Sequence, residues 1–323
     1  MILRTLVVLA IIVGFPLADV NSQWICGALS VLQNPAKKTY GQVSTIRINT
    51  SLVLVPVSVT DAAGRAVTNL RLEDFTVQED GNAVTLEPLL EPESTKLETA
   101  LVFDVTGSTR QRFDFVRQAA ASFLKSLFRS GDAVSILCIA SEPEVLLERT
   151  ESLITALDSL NKLKPFGTAT AFFDSIIKAS QLFQNATDWG TRRVMVVLSD
   201  GEDNFSTMKL RDAIRRIQMI DCLFYAINPE GPSIRRNRIS LRGQQWMEAI
   251  AQQTGGAAFF AENLQDLGSI YRRIAAELKA QYLLSYYSPD PKADGLFRSI
   301  TVTLPSHPEL SVRARQGYYA DKM

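Results

Sequence analysis

Three short polar clusters hold the residues best suited to chemistry: Asp104-Val105-Thr106-Gly107-Ser108, Pro165-Phe166-Gly167-Thr168-Ala169-Thr170, and Ser199-Asp200-Gly201. Together they offer two carboxylates and several hydroxyls, with no sulfur or imidazole among them. Such hard oxygen donors suit Mg²⁺, Mn²⁺ or Ca²⁺ rather than zinc. In a tight loop, alternate residues can point inward together, so Asp104, Thr106 and Ser108 can share a focus while Val105 and Gly107 point away. So few protein donors leave such a cation's coordination shell unfilled, so it keeps waters or takes a carboxylate from a partner. The chain has one histidine, His307, beside Pro308. A zinc site or a Ser-His-Asp triad would have to rest on that single residue, and both are set aside.

The elements that must position these clusters are legible from texture. From Thr99, short apolar strands alternate with amphipathic helices, the pattern of a parallel sheet covered on both faces. Strands are expected at 100–103, 133–140, 193–198 and 223–227. Helices are expected at 113–128 (stripe Phe115, Ala119, Phe123, Leu127), 153–163, 171–183, 209–220, 244–253 and 267–279. The first and third polar clusters follow strands directly and the second precedes a helix. Ligands in open parallel sheets bind at the carboxyl ends of strands.

Both flanks are β-rich. Strands are expected at 52–59 and 75–79, the second closed by Asp80-Gly81, a strong hairpin signal. Three more are expected at 281–287, 297–304 and 310–315. Each flank alone is too small to bury a core, so the two are expected to join as one sandwich with the α/β part inserted between them. The arginines Arg235, Arg236, Arg238 and Arg242 read as a solvated loop, with contact to an acidic partner as the alternative. Glu202 and Asp203 read as solvated neighbours of the site, with a supporting charge behind the ligands as the alternative.

Composition sets the outer bounds. With 46% hydrophobic and 21% charged residues, the 323-residue chain can bury a sizeable core. Lys+Arg and Asp+Glu both total 34, so no basic surplus draws it to nucleic acid. Arg4 is followed by an apolar run from Leu6 to Val13, broken by Gly14 and Pro16. That length fits the core of a signal peptide, with an uncleaved membrane anchor as the alternative. The chain is therefore expected to be exported: periplasmic, secreted, or anchored facing outside. Cys138 and Cys222 sit in apolar strand patterns and read as buried thiols, and Cys26 lacks a lipoprotein-type box.

The ordered set of clusters resembles the von Willebrand factor type A (VWA) domain. Asp104-x-Thr106-x-Ser108 is similar to the Asp-x-Ser-x-Ser motif of that family's metal-ion-dependent adhesion site. Ser199-Asp200-Gly201 is similar to its Thr-Asp-Gly, and Ala169-Thr170-Ala171-Phe172-Phe173-Asp174-Ser175-Ile176 to the segment carrying its metal-site threonine. Thr106 stands for the first Ser and Ala169 for a Gly, and Thr168 competes with Thr170. The segments Leu70–Gly81 and Arg313–Ala320 resemble the flanks of a bacterial group, the VWFA-related Acidobacterial domain family.

The resemblance implies an α/β fold, with a Rossmann-like VWA domain at about 96–280 and a small β-sandwich-like module from the flanks. The boundaries expected are 1–22 for a signal peptide or anchor, 45–92 for an N-terminal β-rich module, and 281–323 for the C-terminal strands. It also implies Mg²⁺ (or Mn²⁺ or Ca²⁺) at Asp104, Thr106, Ser108, Thr170 and Asp200, with a protein partner supplying an acidic side chain. On that reading the chain is not an enzyme, and Asp104→Ala is expected to abolish partner binding with little loss of fold. Two alternatives stand beside it: a scaffold with a vestigial metal site, and a phosphotransfer enzyme with Asp104 as nucleophile. The second lacks a clear lysine between its motifs, and Thr106 cannot serve as an acid two residues after the nucleophile.

Overall fold

A computed structural model describes residues 52–106, 113–167, 169–183, 191–229, 238–263 and 265–320. The expected N-terminal signal segment, Cys26, Ser108, Thr168, Arg235 and Arg236 lie outside these residues. Among the described residues, no helix is long and apolar enough to cross a membrane.

The N-terminal flank contributes β1 (Leu52–Thr60), β2 (Thr76–Glu79) and β3 (Asn82–Ala83). The α/β part then runs β4 (Leu97–Asp104), α1 (Phe113–Leu127), β5 (Ala133–Ile139), β6 (Glu144–Thr150), α2 (Leu153–Lys162), α3 (Phe172–Gln181), β7 (Arg192–Leu198), α4 (Leu210–Met219), β8 (Cys222–Asn228), α5 (Arg238–Thr254), β9 (Ala258–Phe260) and α6 (Asp266–Lys279). The chain closes with β10 (Tyr282–Tyr287), β11 (Phe297–Thr303), β12 (Ser311–Arg313) and β13 (Gly317–Tyr319).

The six-stranded sheet has the order β6-β5-β4-β7-β8-β9. All its neighbours run parallel except the β5–β6 pair. Every residue of β4, β5 and β8 is buried, as expected of strands covered on both faces. Alternation along β4 divides the core. Leu101 and Phe103 pack under α1, α2 and α6, while Ala100 and Val102 pack under α3, α4 and α5. From β4 the chain first builds outward through β5 and β6, then crosses back to build β7, β8 and β9 on the other side. The order therefore reverses at the carboxyl ends of β4 and β7, which opens a crevice there.

Several local expectations change. Phe115 is exposed, while Ala119, Phe123 and Leu127 of the expected stripe are buried, together with Phe113, Val116, Ala120 and Leu124. Each step of four gains about 40° on the 3.6-residue repeat, so Phe115, at the end of the run, falls off the face that the other three share. Helix α5 begins at Arg238, which puts Arg238 and Arg242 on a helix rather than in a loop. The edge strand β6 pairs with β5 through an irregular register and carries charged residues near both ends, so it lacks the apolar run by which the inner strands are recognised. The strands β9 and β13, three residues each, were too short to stand out.

The two flanks share sheets. Strand β1 pairs antiparallel with β10, from Leu52↔Tyr287 to Val57↔Tyr282, and with β12 at Ser58↔Arg313. A second sheet has the order β13-β11-β2-β3. Its hairpin turns at Asp80 (φ 48°) and Gly81 (φ 80°), both left-handed, as a two-residue turn between twisted strands requires. Val53, Val55, Val57, Phe75, Val77, Leu284, Tyr286 and Ile300 form one core between the sheets. Buried Glu79 accepts hydrogen bonds from Tyr286 Oη (2.7 Å), Tyr318 Oη (3.0 Å) and Ser288 Oγ (2.6 Å), so its burial is met by donors from the C-terminal flank.

Candidate metal centre

Four of the five predicted ligands come together at the reversal point. Asp104 closes β4, and Thr106 follows it by two residues. Asp200 lies just beyond β7, and Thr170 lies two residues before α3. All four are buried, at 4%, 7%, 9% and 7% exposure respectively.

Backbone bonds draw the separate loops to one place. Phe166 N–H donates to the Val105 carbonyl (2.8 Å), and Ala171 N–H to that of Ala140 (2.9 Å). A β-carbon at Gly167, where φ is 91°, would lie 3.9 Å from Thr106 Cγ2. The loop before α3 therefore lies over the end of β4.

Asp104 is the organising carboxylate. Its Oδ1 accepts from the Thr106 hydroxyl (2.6 Å) and from the Thr106 N–H (3.0 Å). Its Oδ2 accepts from Ser199 Oγ (2.9 Å), which in turn accepts from Gly201 N–H (3.0 Å). One buried side chain thus ties the end of β4 to the end of β7. A hydroxyl that donates its proton to a carboxylate leaves its lone pairs free to ligate a cation. Asp200 Oδ1 accepts from Glu202 N–H (2.9 Å), a short turn that fixes this carboxylate. The Thr170 hydroxyl has no hydrogen-bond partner among the described residues.

This donor set fits a hard divalent cation. It is all oxygen, it has two carboxylates, it includes a hydroxyl pre-oriented by Asp104, and it offers the unpaired Thr170 hydroxyl. Among the described residues no three His, Cys, Asp or Glu side chains converge as a metal group, and this set with its two carboxylates stays below that count.

Local sequence reading missed most of the hydrogen bonds that hold these four residues in place. Glu202 and Asp203 are not solvated bystanders. Glu202 Oε1 accepts from Ser240 Oγ (2.5 Å) at the start of α5, and Asp203 Oδ1 accepts from Phe172 N–H (2.9 Å) at the start of α3. Asn204 grips Thr170 through its side chain and its backbone. Asp174 accepts from Thr207 N–H (3.0 Å) and Met208 N–H (2.9 Å). Behind Asp200 the backbones of Gly201 and Gly243 nearly touch: a β-carbon on Gly243 would lie 2.7 Å from the Asp200 carbonyl oxygen. Asp203 and Asn204 stand in the same run as Asp200, which was a signal. Their partners, however, are 31 and 34 residues away, beyond any local motif.

The family model for the von Willebrand factor type A domain matches residues 99–202, from within β4 through Asp104 and Thr170 to just past Asp200. No curated protein sequence matches the chain. Among solved structures it is similar to an aerotolerance-related membrane protein from Bacteroides fragilis, at 19% identity and a TM-score of 0.45 over 56% of this chain and 98% of that one. It is also similar to BatB from Bacteroides thetaiotaomicron, at 19% identity and 0.44 over 57% and 99%. A third is proximal thread matrix protein 1 of the mussel byssus, at 13% identity and 0.46 over 60% and 49%.

Proposed function

Residues 99–202 belong to a von Willebrand factor type A domain, which points to a protein-interaction or adhesion-type role, and from that premise we propose that the chain is an exported binding protein using a divalent-cation site, and not an enzyme. The ligands are Asp104, Thr106, Ser108, Thr170 and Asp200, and the cation is Mg²⁺, with Mn²⁺ or Ca²⁺ as substitutes. Export rests on the basic start and apolar run of residues 4–13.

The observation that carries this reading is the state of Asp104. Both of its oxygens are engaged, one by the Thr106 hydroxyl and the other by Ser199. That is the arrangement of a residue that orients a ligand, and it counts against Asp104 as an attacking nucleophile in phosphoryl transfer. Thr106 and Thr170 present hydroxyl lone pairs, and Asp200 supplies the second charge. A bound cation would offer an open coordination position to an acidic side chain of the protein partner. Water is kept from the inner face of the site by burial against the sheet.

Thermal melting of the chain in Mg²⁺ and in EDTA tests the proposal. A ligand that binds only the native state stabilises it by about 2.7 kcal/mol at a hundredfold excess over its Kd. Melting is expected to rise with millimolar Mg²⁺ in the wild type and to stay unchanged in Asp200→Asn. The same melting temperature in Mg²⁺ and EDTA for the wild type would favour a scaffold whose metal site is vestigial.

A further inference from the structure

We propose that Asn204 is a positioning residue that sets Thr170 against Asp200 for the cation. The inference rests on the cation reading above and deepens it by naming what holds the two halves of the site in register.

Helix α3 begins after Ala171, which gives no side-chain cap. Alanine is among the poorest residues at that position, because the first amides of a helix need acceptors it cannot provide. Here the acceptors arrive from the loop that follows Asp200. Phe172 N–H donates to Asp203 Oδ1 (2.9 Å), and Asp174 N–H donates to Ser206 Oγ (3.2 Å). Thr170 is held on both sides: its N–H donates to Asn204 Oδ1 (2.9 Å), and its carbonyl accepts from Asn204 N–H (3.1 Å) and Phe205 N–H (3.2 Å).

The loop carrying Asp200 thus serves as the cap that α3 lacks, and Thr170 is clasped to it at its backbone. Between Asp200 and Asn204 the chain is pinned again, by Glu202 N–H on Asp200 Oδ1. With both backbones fixed, the Thr170 hydroxyl moves only about its own side-chain torsion. A carboxylate and a hydroxyl from loops 30 residues apart then meet a cation without ordering either loop at the moment of binding.

A helix cap with no bearing on the cation predicts different behaviour from a positioning residue, and a set of variants separates the two. Asn204→Ala removes the acceptor from Thr170 N–H. Asn204→Asp keeps a side-chain oxygen there. Asp203→Ala removes a cap from α3 but leaves the clasp on Thr170. By calorimetric Mg²⁺ titration, Asn204→Ala should lose about tenfold or more in affinity, the usual effect of removing a group that orients a metal ligand. Asn204→Asp should stay within about threefold of the wild type. Asp203→Ala should lower the melting temperature in EDTA at least as much as Asn204→Ala while losing less affinity. Should Asn204→Ala fail to fold, Asn204→Ser carries the same prediction. Wild-type binding with Asn204→Ala unaffected, or with Asn204→Asp as weak as Asn204→Ala, would overturn the positioning role alone. A wild-type chain that takes up no Mg²⁺ would overturn the cation reading and this inference with it.

Discussion

At the scale of single residues, the type of each donor was legible and its support was not. Asp104, Thr106, Thr170 and Asp200 stand out because carboxylates and hydroxyls follow apolar strands or precede a helix. The structure revises what a change at Asp104 would do. Its carboxylate satisfies the Thr106 hydroxyl and amide as well as Ser199. Asp104→Ala therefore leaves buried donors unmet, at about 1–3 kcal/mol for each such group, and cannot be nearly neutral for folding. Urea denaturation in EDTA should show that loss for Asp104→Ala and a smaller one for Asp104→Asn, which keeps one oxygen. Equal stability of Asp104→Ala and the wild type would show that these hydrogen bonds are not formed in solution. The cysteines make a separate prediction. Burial pushes the Cys138 thiol up to about 12 and Cys222 higher still, so both stay protonated at neutral and mildly alkaline pH. A thiol-disulfide reagent at pH 8 should leave both unmodified in the folded chain and label both in denaturant. Rapid labelling of either one without denaturant would contradict their placement.

At the scale of elements, long periodic segments read well and short or mixed ones did not. The strands β4, β7 and β8 are apolar runs, and α6 has a helical stripe long enough to identify. By contrast, β6 carries Glu144, Glu148 and Arg149 within seven residues, which gives neither alternation nor an apolar run. The start of α3 shows a different limit. Its cap lies 31 residues downstream at Asp203, and a window of a dozen residues contains no trace of that. The contact between Gly201 and Gly243 is equally non-local. It brings the first half of α5 against the Asp200 loop, at a separation where any side chain strikes backbone. Gly243→Ala is predicted to destabilise the fold by about 1–3 kcal/mol, the range for overpacking. It should also weaken Mg²⁺ binding, because the strain falls on the Asp200 carbonyl. Denaturation and metal titration on one sample read both effects, and an unperturbed Gly243→Ala would mean that α5 does not bear on the site.

For the molecule as a whole, the alternation of strand and helix announces an α/β domain, and the β texture at both ends announces additional sheets. The strand-to-strand pairing between the flanks is not encoded in either flank. It follows from a physical requirement, that β1, β2 and β3 cannot bury Val53, Val55 and Val57 by themselves. Polar ties join the α/β part to the sandwich. Glu277 of α6 accepts from Ser58 Oγ (2.9 Å) and Tyr225 Oη (2.6 Å) and pairs with Arg313 (2.5 Å). Arg192 at the start of β7 donates to Leu278 O (2.7 Å) and Gln281 Oε1 (3.1 Å). Truncation after Lys279 removes every partner strand of β1 and leaves Glu277 without Arg313. An isolated 52–91 fragment is expected to give the narrow amide dispersion of an unfolded chain by NMR. A dispersed spectrum from it would contradict a sandwich built from both ends.

Mn²⁺ titration followed by electron paramagnetic resonance tests the account most directly, because the sharp signal of free Mn²⁺ is lost when the ion is bound. The chain is predicted to quench that signal, saturating near one ion, with Mg²⁺ restoring it by competition. Asp104→Asn and Asp200→Asn, folded by circular dichroism, should leave it nearly intact. Full signal from wild-type mixtures at millimolar Mn²⁺, or equal quenching by both variants, would contradict a cation held between the ends of β4 and β7.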